Sequence, residues 1–162
     1  MSMIGNVMTV TNEELQSFLA DSSLLEDKIY NDADNAQLED LDKTWEGILF
    51  VLTGESVQTF TQPIGRALFS GQLIDASQDL GYGPAHYLTP AEVAELNLLL
   101  AGFTEAQVRE KYDGDKMNAL GIYPQIWDQA DSFDDLYNNF TALQQVFTRA
   151  AQNNQAIITF IN

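Results

Sequence analysis

The spacing of apolar residues along the chain changes from a strand pattern to a helical pattern and back again. Residues 3–10 are β-branched and apolar around Gly5, and residues 156–161 form the apolar run AIITFI, so both stretches predict strands. Between them, apolar residues recur mainly at steps of three and four, which predicts helices. One strand, a series of helices and a last strand indicate an α+β fold. We therefore expect a small, mostly antiparallel sheet that contains both terminal strands and is packed by several helices.

Capping residues predict where several of these helices begin. Three helix starts have the capping-box spacing, in which a Thr hydroxyl and a Glu or Gln side chain each accept a bond from the other's backbone N–H. These pairs are Thr11–Glu14, Thr89–Glu92 and Thr104–Gln107. The helix after Thr89 is expected to bury Val93, Leu96, Leu99 and Leu100. Asp131 starts the longest predicted helix, which runs to about Ala151, and residues 85–88 predict a short strand.

The stretch DKTWEGILFVLTG, residues 42–54, predicts the central helix of the core. Its apolar stripe is so wide that little of the circumference is polar. The stripe consists of Leu41, Trp45, Ile48, Leu49 and Leu52, with Phe50 and Val51 beside it. Gly54 follows the last turn, as expected for the left-handed position beyond a helix end. Glu46 is the polar exception on this helix and is therefore a candidate functional residue.

The composition indicates one folded domain with a strong excess of acidic groups. The chain has 162 residues, of which 45% are hydrophobic, and we expect residues 1–162 to form a single domain. Its 24 acidic and 7 basic residues give a formal net charge of −17. Such a field repels phosphate backbones and anionic lipids, so we expect neither nucleic-acid nor membrane binding. A basic protein is the partner that this charge would attract, whereas the oligomeric state stays open.

Residues 11–42 hold the densest negative charge, with ten acids against the single base Lys28. A short helix is predicted over Leu24–Tyr30, followed by a solvated loop. Burying unpaired carboxylates is costly, so most of these groups should face water. We call the six acids expected to be exposed here the acidic face. Its members are Glu26, Asp27, Asp32, Asp34, Glu39 and Asp40.

The sequence has no cysteine and no segment typical of a membrane span. Disulfides, thiolate nucleophiles and zinc–cysteine sites are therefore excluded. The first ten residues, MSMIGNVMTV, lack a basic start, and no apolar run approaches the roughly 20 residues needed to cross a bilayer. We expect a cytoplasmic protein.

Catalytic and metal-binding patterns are weak. His86 is the only histidine, so a catalytic triad has one candidate base and a zinc site has one candidate ligand. The stretch DADNAQLEDLDK, from Asp32, begins like a calcium loop but has Ala36, Gln37 and Lys43 at required positions. No phosphate-binding G-x-x-x-x-G-K-[ST] motif occurs. We therefore expect no metal and no cofactor, and a non-enzyme rather than an enzyme, although two acids meeting in a cleft would leave glycoside chemistry open.

Four separated segments resemble the YfbM-like family of small bacterial proteins, a domain of unknown function. They are MIG near the start, LDKTWEGILFVLTG at 41–54, YGPAHYLTPAEV at 82–93 and IYPQIW at 122–127. The resemblance keeps this order over essentially the whole chain. It implies one YfbM-like α+β domain and brings no reaction with it.

The same segments carry a group of aromatic and polar residues that would line a pocket or an interface if they converge. They are Trp45, Glu46, Tyr82, His86, Tyr87, Tyr123 and Trp127. Two functions follow as hypotheses. The first is an acidic protein-interaction module, such as an immunity or inhibitor protein for a basic partner. The alternative is an enzyme or small-ligand binder with a pocket around Glu46, Tyr82, His86 and Tyr123.

Overall fold

The computed structural model of the chain describes residues 2–31 and 36–162. Within these residues the strands are β1 (Gly5–Val10), β2 (Leu38–Asp40), β3 (His86–Leu88) and β4 (Ala156–Ile161). The α-helices are α1 (Asn12–Ala20), α2 (Ser23–Asn31), α3 (Trp45–Thr53), α4 (Pro90–Ala101), α5 (Glu105–Lys111), α6 (Gly114–Ala119) and α7 (Ser132–Gln152). Short 3-10 helices span Asp42–Thr44 and Pro63–Ala67.

The four strands form one antiparallel sheet in the order β2-β1-β4-β3. The two terminal strands are its centre, with a register that runs from Gly5 opposite Ile161 to Val10 opposite Ala156. Every residue of β1 is buried, because elements cover both faces of the sheet. The predicted α+β class, with both terminal strands in a small antiparallel sheet, is confirmed.

The larger core lies between one face of the sheet and the helices α3, α4 and α7. Val7, Leu88 and Ile157 project from the sheet into this core. The helix α3 is buried along its whole length. The amphipathic α7 contributes Leu136, Phe140, Leu143 and Phe147, as its spacing predicts. None of the described helices is both long and apolar enough to cross a membrane.

The opposite face of the sheet carries a second, smaller core. Met8, Ile158 and Phe160 project from the strands on this side. The helices α1 and α2 cover them with Leu15, Phe18 and Leu25, and Ile74, Leu80 and Ala85 complete the layer. Thr11 and Glu14 form the predicted capping box at the start of α1.

Two local expectations are wrong. Residues 38–40 form the edge strand β2 rather than a loop, because Leu38 and Asp40 pair with Met8 and Asn6 of β1. Such a short acidic strand has no periodicity of its own and forms through tertiary pairing. Leu99 on α4 is 50% exposed, because Val93, Leu96 and Leu100 already fill the narrow side of α4 that faces the core.

Candidate functional site

A cleft of about 470 Å³ lies at the end of the sheet where β1 begins and β4 ends. Antiparallel pairing brings the start of β3 to the same end, with His86 opposite Thr159. The walls come from seven separate stretches of the chain, and the first turn of α3 supplies two of the lining residues. The aromatic and polar lining residues are Trp45, Glu46, Gln58, Phe69, Tyr82, Tyr123 and Gln125. The end of the sheet thus presents a concave surface with both aromatic and polar groups.

Trp45 packs against the start of β1, and its indole ring makes one hydrogen bond and contacts two other aromatic rings. Its indole Nε1 donates a hydrogen bond to the carbonyl of Met3 at 3.1 Å. The ring stacks on Tyr123, with 5.8 Å between centroids and 25° between planes, and meets Phe69 edge-on at 5.7 Å. A Cβ at Gly5 would lie 2.7 Å from the Cβ of Trp45, so only glycine allows this close approach.

Glu46 is a buried carboxylate at the cleft, with 4% of its surface exposed. Its Oε1 accepts the backbone N–H of Tyr123 at 2.9 Å, and its Oε2 accepts that of Val57 at 2.9 Å. Among the described residues, no ion pair includes Glu46. The side chain therefore joins α3 to two loops through backbone donors, and its charge faces no cationic side chain.

The connector at 121–125 forms one wall of the cleft. The Tyr123 hydroxyl accepts the backbone N–H of Met3 at 3.0 Å, which ties this wall to the first residues of the chain. The peptide bond between Tyr123 and Pro124 is cis. Gln125 has a φ of 63°, a left-handed conformation that is uncommon for a residue other than glycine. The backbone of this wall therefore bends at Gln125.

Tyr82 is part of the cleft lining, whereas His86 lies behind it. Tyr82 lines the cleft and is 43% exposed. His86 is half-buried outside the lining, where its Nδ1 accepts the backbone N–H of Gly71 at 3.0 Å and its ring meets Phe69 edge-on at 5.5 Å. Burial lowers the pKa of the His86 imidazole below its usual value. Since Phe69 packs on both Trp45 and His86, the imidazole is one ring removed from the cleft wall.

The remaining two aromatic candidates lie elsewhere. Tyr87 packs against the second core, on the side of β3 opposite His86. Trp127 is buried in the larger core, where its Nε1 donates to the carbonyl of Ile122 at 2.9 Å and its ring lies against Gly47. The structure therefore brings Trp45, Glu46, Tyr82 and Tyr123 to one cleft and leaves Tyr87 and Trp127 out of it.

Three side chains that line the cleft were not predicted from the sequence. Phe69 sits in an apolar run and has no feature that separates it from a core residue. Gln58 and Gln125 lie in loops and are common surface residues by type. The unusual φ of Gln125 is a property of the folded backbone, so no signal in the sequence could have identified it.

The acidic face is partly described by the structure. Glu26 and Asp27 are exposed on α2, and Asp40 is exposed at the end of β2. Glu39 is half-buried, because it pairs with Val7 in the sheet instead of lying in a solvated loop. Asp32 and Asp34 lie outside the described residues. The predicted exposure thus holds for three of the four acids that can be compared.

Glu14 links the two parts of the acidic face. The Nζ of Lys28 on α2 lies 3.3 Å from Glu14 Oε2, and the Gln37 amide donates to Glu14 Oε1 at 3.5 Å. The helix α2 and the residue that precedes β2 therefore both contact this carboxylate. Within residues 2–31 and 36–162, no three His, Asp or Glu side chains are grouped closely enough to hold a metal ion.

The class of fold is defined by an antiparallel sheet whose two central strands come from the two ends of the chain. Helices cover both faces of this sheet, and a cleft lies at one end of it. The chain belongs to the family described as Domain of unknown function (DUF1877), which matches residues 1–160. Together with the solved structure described next, this match confirms the resemblance to a YfbM-like domain. A comparison with curated proteins finds no match.

A solved structure shows the same fold. It is the crystal structure of a protein of unknown function, YfbM from Escherichia coli, with a TM-score of 0.77 and 20% sequence identity. The match covers 98% of this chain and 99% of that one. At this identity the similarity establishes the architecture and carries no information about a ligand or partner.

Proposed function

We propose that this domain is a non-enzymatic interaction module that binds a basic protein through its acidic face, in the manner of an immunity or inhibitor protein. The observation that supports this proposal is that Lys28 of α2 and Gln37, the residue before β2, both contact Glu14, so the two elements that carry the described acids of the face meet at one carboxylate. Lys28, the only base of residues 11–42, is engaged with Glu14. Exposed acids on this surface are consequently available to a cationic partner.

Electrostatics would act mainly on the rate at which such a partner associates. Opposite fields raise association rates at low salt, and salt screens the effect over about 10 Å at 0.1 M. The net charge of −17 gives this chain a long-range field of the required sign. We therefore expect a complex whose affinity falls steeply as ionic strength rises.

Charge-neutral variants test the proposal. The variant combines Glu26→Gln and Asp27→Asn on α2 with Glu39→Gln and Asp40→Asn on β2. Its control carries the same charge change at exposed positions of α4 to α7, Glu95→Gln, Glu110→Gln, Asp115→Asn and Asp134→Asn. Proteins captured at low salt are identified, and the affinity of each purified partner is then measured. A basic partner that binds the control normally and the face variant at least tenfold more weakly supports the proposal. Capture of no basic partner, or equal weakening in both variants, contradicts it.

A second candidate function is the binding of a small ligand in the cleft. It is favoured by the convergence of Trp45, Glu46, Tyr82 and Tyr123 on one concave surface. Binding is a better account of this geometry than catalysis, because both carboxylate oxygens of Glu46 are already occupied by backbone N–H groups. Titration of the purified protein with small ligands, followed by calorimetry, would reveal such a site.

A further inference from the structure

We infer that the cleft binds an organic cation, with an alkylammonium or guanidinium group held against its aromatic walls and near the Glu46 carboxylate. This inference rests on the second candidate function, ligand binding in the cleft, and is independent of the acidic face. Among the described residues that line the cleft, Glu46 is the only charged one, and none is Lys or Arg. The charge of the lining is therefore negative.

The aromatic walls suit a cation. The face of a Trp or Tyr ring attracts ammonium and guanidinium groups within about 6 Å of its centroid, and aromatic cages for quaternary ammonium ligands use this effect. Trp45, Tyr82 and Tyr123 line the cleft together with Phe69. Trp45 and Tyr123 are also rigid, since each is tied to Met3 by a hydrogen bond. The rings are thus positioned before a ligand arrives, which reduces the entropy lost on binding.

The hydrogen bonding of the Glu46 carboxylate also favours a cationic ligand. A carboxylate offers about four acceptor positions, and the two hydrogen bonds of Glu46 both come from neutral backbone N–H groups. A buried charge without a counter-charge is costly, so a cation bound beside it would gain a favourable interaction that the folded chain does not supply. The net charge of −17 would also raise the local concentration of cations.

The size and donor set favour an organic cation over a metal ion. A volume of about 470 Å³ lies within the usual range of roughly 300–1,000 Å³ for small-molecule sites. Calcium requires six to eight oxygen ligands, whereas the charged oxygens of this lining belong to one carboxylate that already accepts two hydrogen bonds. Large aromatic surfaces also contribute nothing to a metal ion of this kind.

Pairs of cations and neutral isosteres test the inference. Choline is compared with 3,3-dimethyl-1-butanol, and N-acetylarginine amide with N-acetylcitrulline amide, by calorimetry and by tryptophan fluorescence, to which Trp45 and Trp127 both contribute. We expect at least one cation to bind about tenfold more tightly than its neutral isostere. Preference for choline would indicate a free small molecule as the natural ligand, and preference for arginine amide would indicate a side chain of a protein. Equal binding within both pairs would overturn the cation assignment while leaving a ligand site, and no binding at millimolar concentrations would overturn both.

Two tyrosine variants locate the binding. Tyr82→Ala removes an aromatic wall whose side chain is 43% exposed, so the fold should be retained. Tyr30→Ala removes a comparably exposed tyrosine, at 53%, from α2 outside the cleft lining. We expect Tyr82→Ala to weaken cation binding at least fivefold and Tyr30→Ala to leave it unchanged. Equal affinities for the two variants would show that the cations bind elsewhere. Glu46→Gln is a secondary test, because its loss of a structural acceptor also affects folding.

Discussion

The carboxylate of Glu46 accepts the backbone N–H of Tyr123 at 2.9 Å across a separation of 77 residues. The same side chain accepts the backbone N–H of Val57, so one residue of α3 satisfies two partly buried loop donors. A donor left without a partner in a buried position costs about 1–3 kcal/mol. Glu46 therefore holds the cleft together whether or not a ligand binds to it.

Glu46→Gln should consequently destabilise the fold. The amide keeps one acceptor oxygen but places an NH₂ group against the second backbone N–H. We expect the free energy of unfolding to fall by about 1–3 kcal/mol, measured by urea denaturation. The control is Glu95→Gln, at an exposed position on α4, which should change it by less than about 0.5 kcal/mol. Equal stability of the two variants would show that the carboxylate is not a structural acceptor.

Gly47→Ala should also destabilise the protein, although alanine is normally the better helix former by about 1 kcal/mol. A Cβ at this position would lie 2.4 Å from Trp127 Cη2 and 2.9 Å from Leu136 Cδ1. Overpacking of this kind typically costs about 1–3 kcal/mol, which exceeds the gain in helix propensity. Thermal and urea unfolding would measure the net loss.

Gly102→Ala is the matched control for that substitution. Gly102 has a φ of −74° and would place its Cβ no nearer than 3.5 Å to another group. We expect no loss of stability there, because neither the backbone nor the space requires glycine. If both variants were equally stable, the close contact between Gly47 and Trp127 would not exist in solution.

Local signals predicted most of the fold, because they do not depend on distant residues. Thr11 and Glu14 lie within one helical turn and form a capping box, and Gly54 adopts the left-handed φ of 76° expected beyond α3. The strand β2 has no such signal, since its three residues are extended only through pairing with β1. Its position could not be predicted before the pairing was known.

The cleft could be predicted only in part, because some of its residues have no local signal in the sequence. Glu46 is unusual in a helix that is otherwise apolar, so its type and position marked it as a candidate. Phe69 is as important to the cleft wall but does not differ from a core residue in sequence. His86 and Tyr87 could have been assigned to opposite faces, because they are neighbours in the strand predicted over residues 85–88. The strand pattern alone does not say which face lies nearer the cleft.

Glu92 should make stability depend on pH in the acid range. Partial burial raises the pKa of its carboxyl, but hydrogen bonds from Gln72, the Thr89 backbone and hydroxyl, and Arg66 outweigh burial and lower the pKa to about 2. Since this value lies below that of the unfolded chain, the stabilisation is complete above about pH 4.5 and is lost as the pH falls towards 2. The upper bound is on the order of 3 kcal/mol, reduced by the partial exposure of the pair.

Glu92→Gln should remove this contribution. We expect its free energy of unfolding to be lower than that of the unmodified protein at pH 6 and to approach it at pH 2–3. Urea denaturation over this pH range would measure the difference. Glu95→Gln, on the same helix but exposed, should follow the unmodified protein throughout. A constant difference between the Glu92→Gln variant and the unmodified protein at every pH would contradict the assignment.

His86 should titrate below its ordinary pKa of 6.5, because burial disfavours the charged imidazolium. Its Nδ1 accepts the Gly71 N–H at 3.0 Å, so the neutral ring carries its proton on Nε2. As the only histidine of the chain, it gives a single imidazole signal that can be followed by NMR. The expected midpoint lies below that of the urea-unfolded chain, and neutral His86 stabilises the fold until the pH falls through this lower value. Phe69→Ala, which removes the ring packed against the imidazole, should move the midpoint back towards 6.5. A midpoint at or above 6.5 in the unmodified protein would show that the imidazole is solvated.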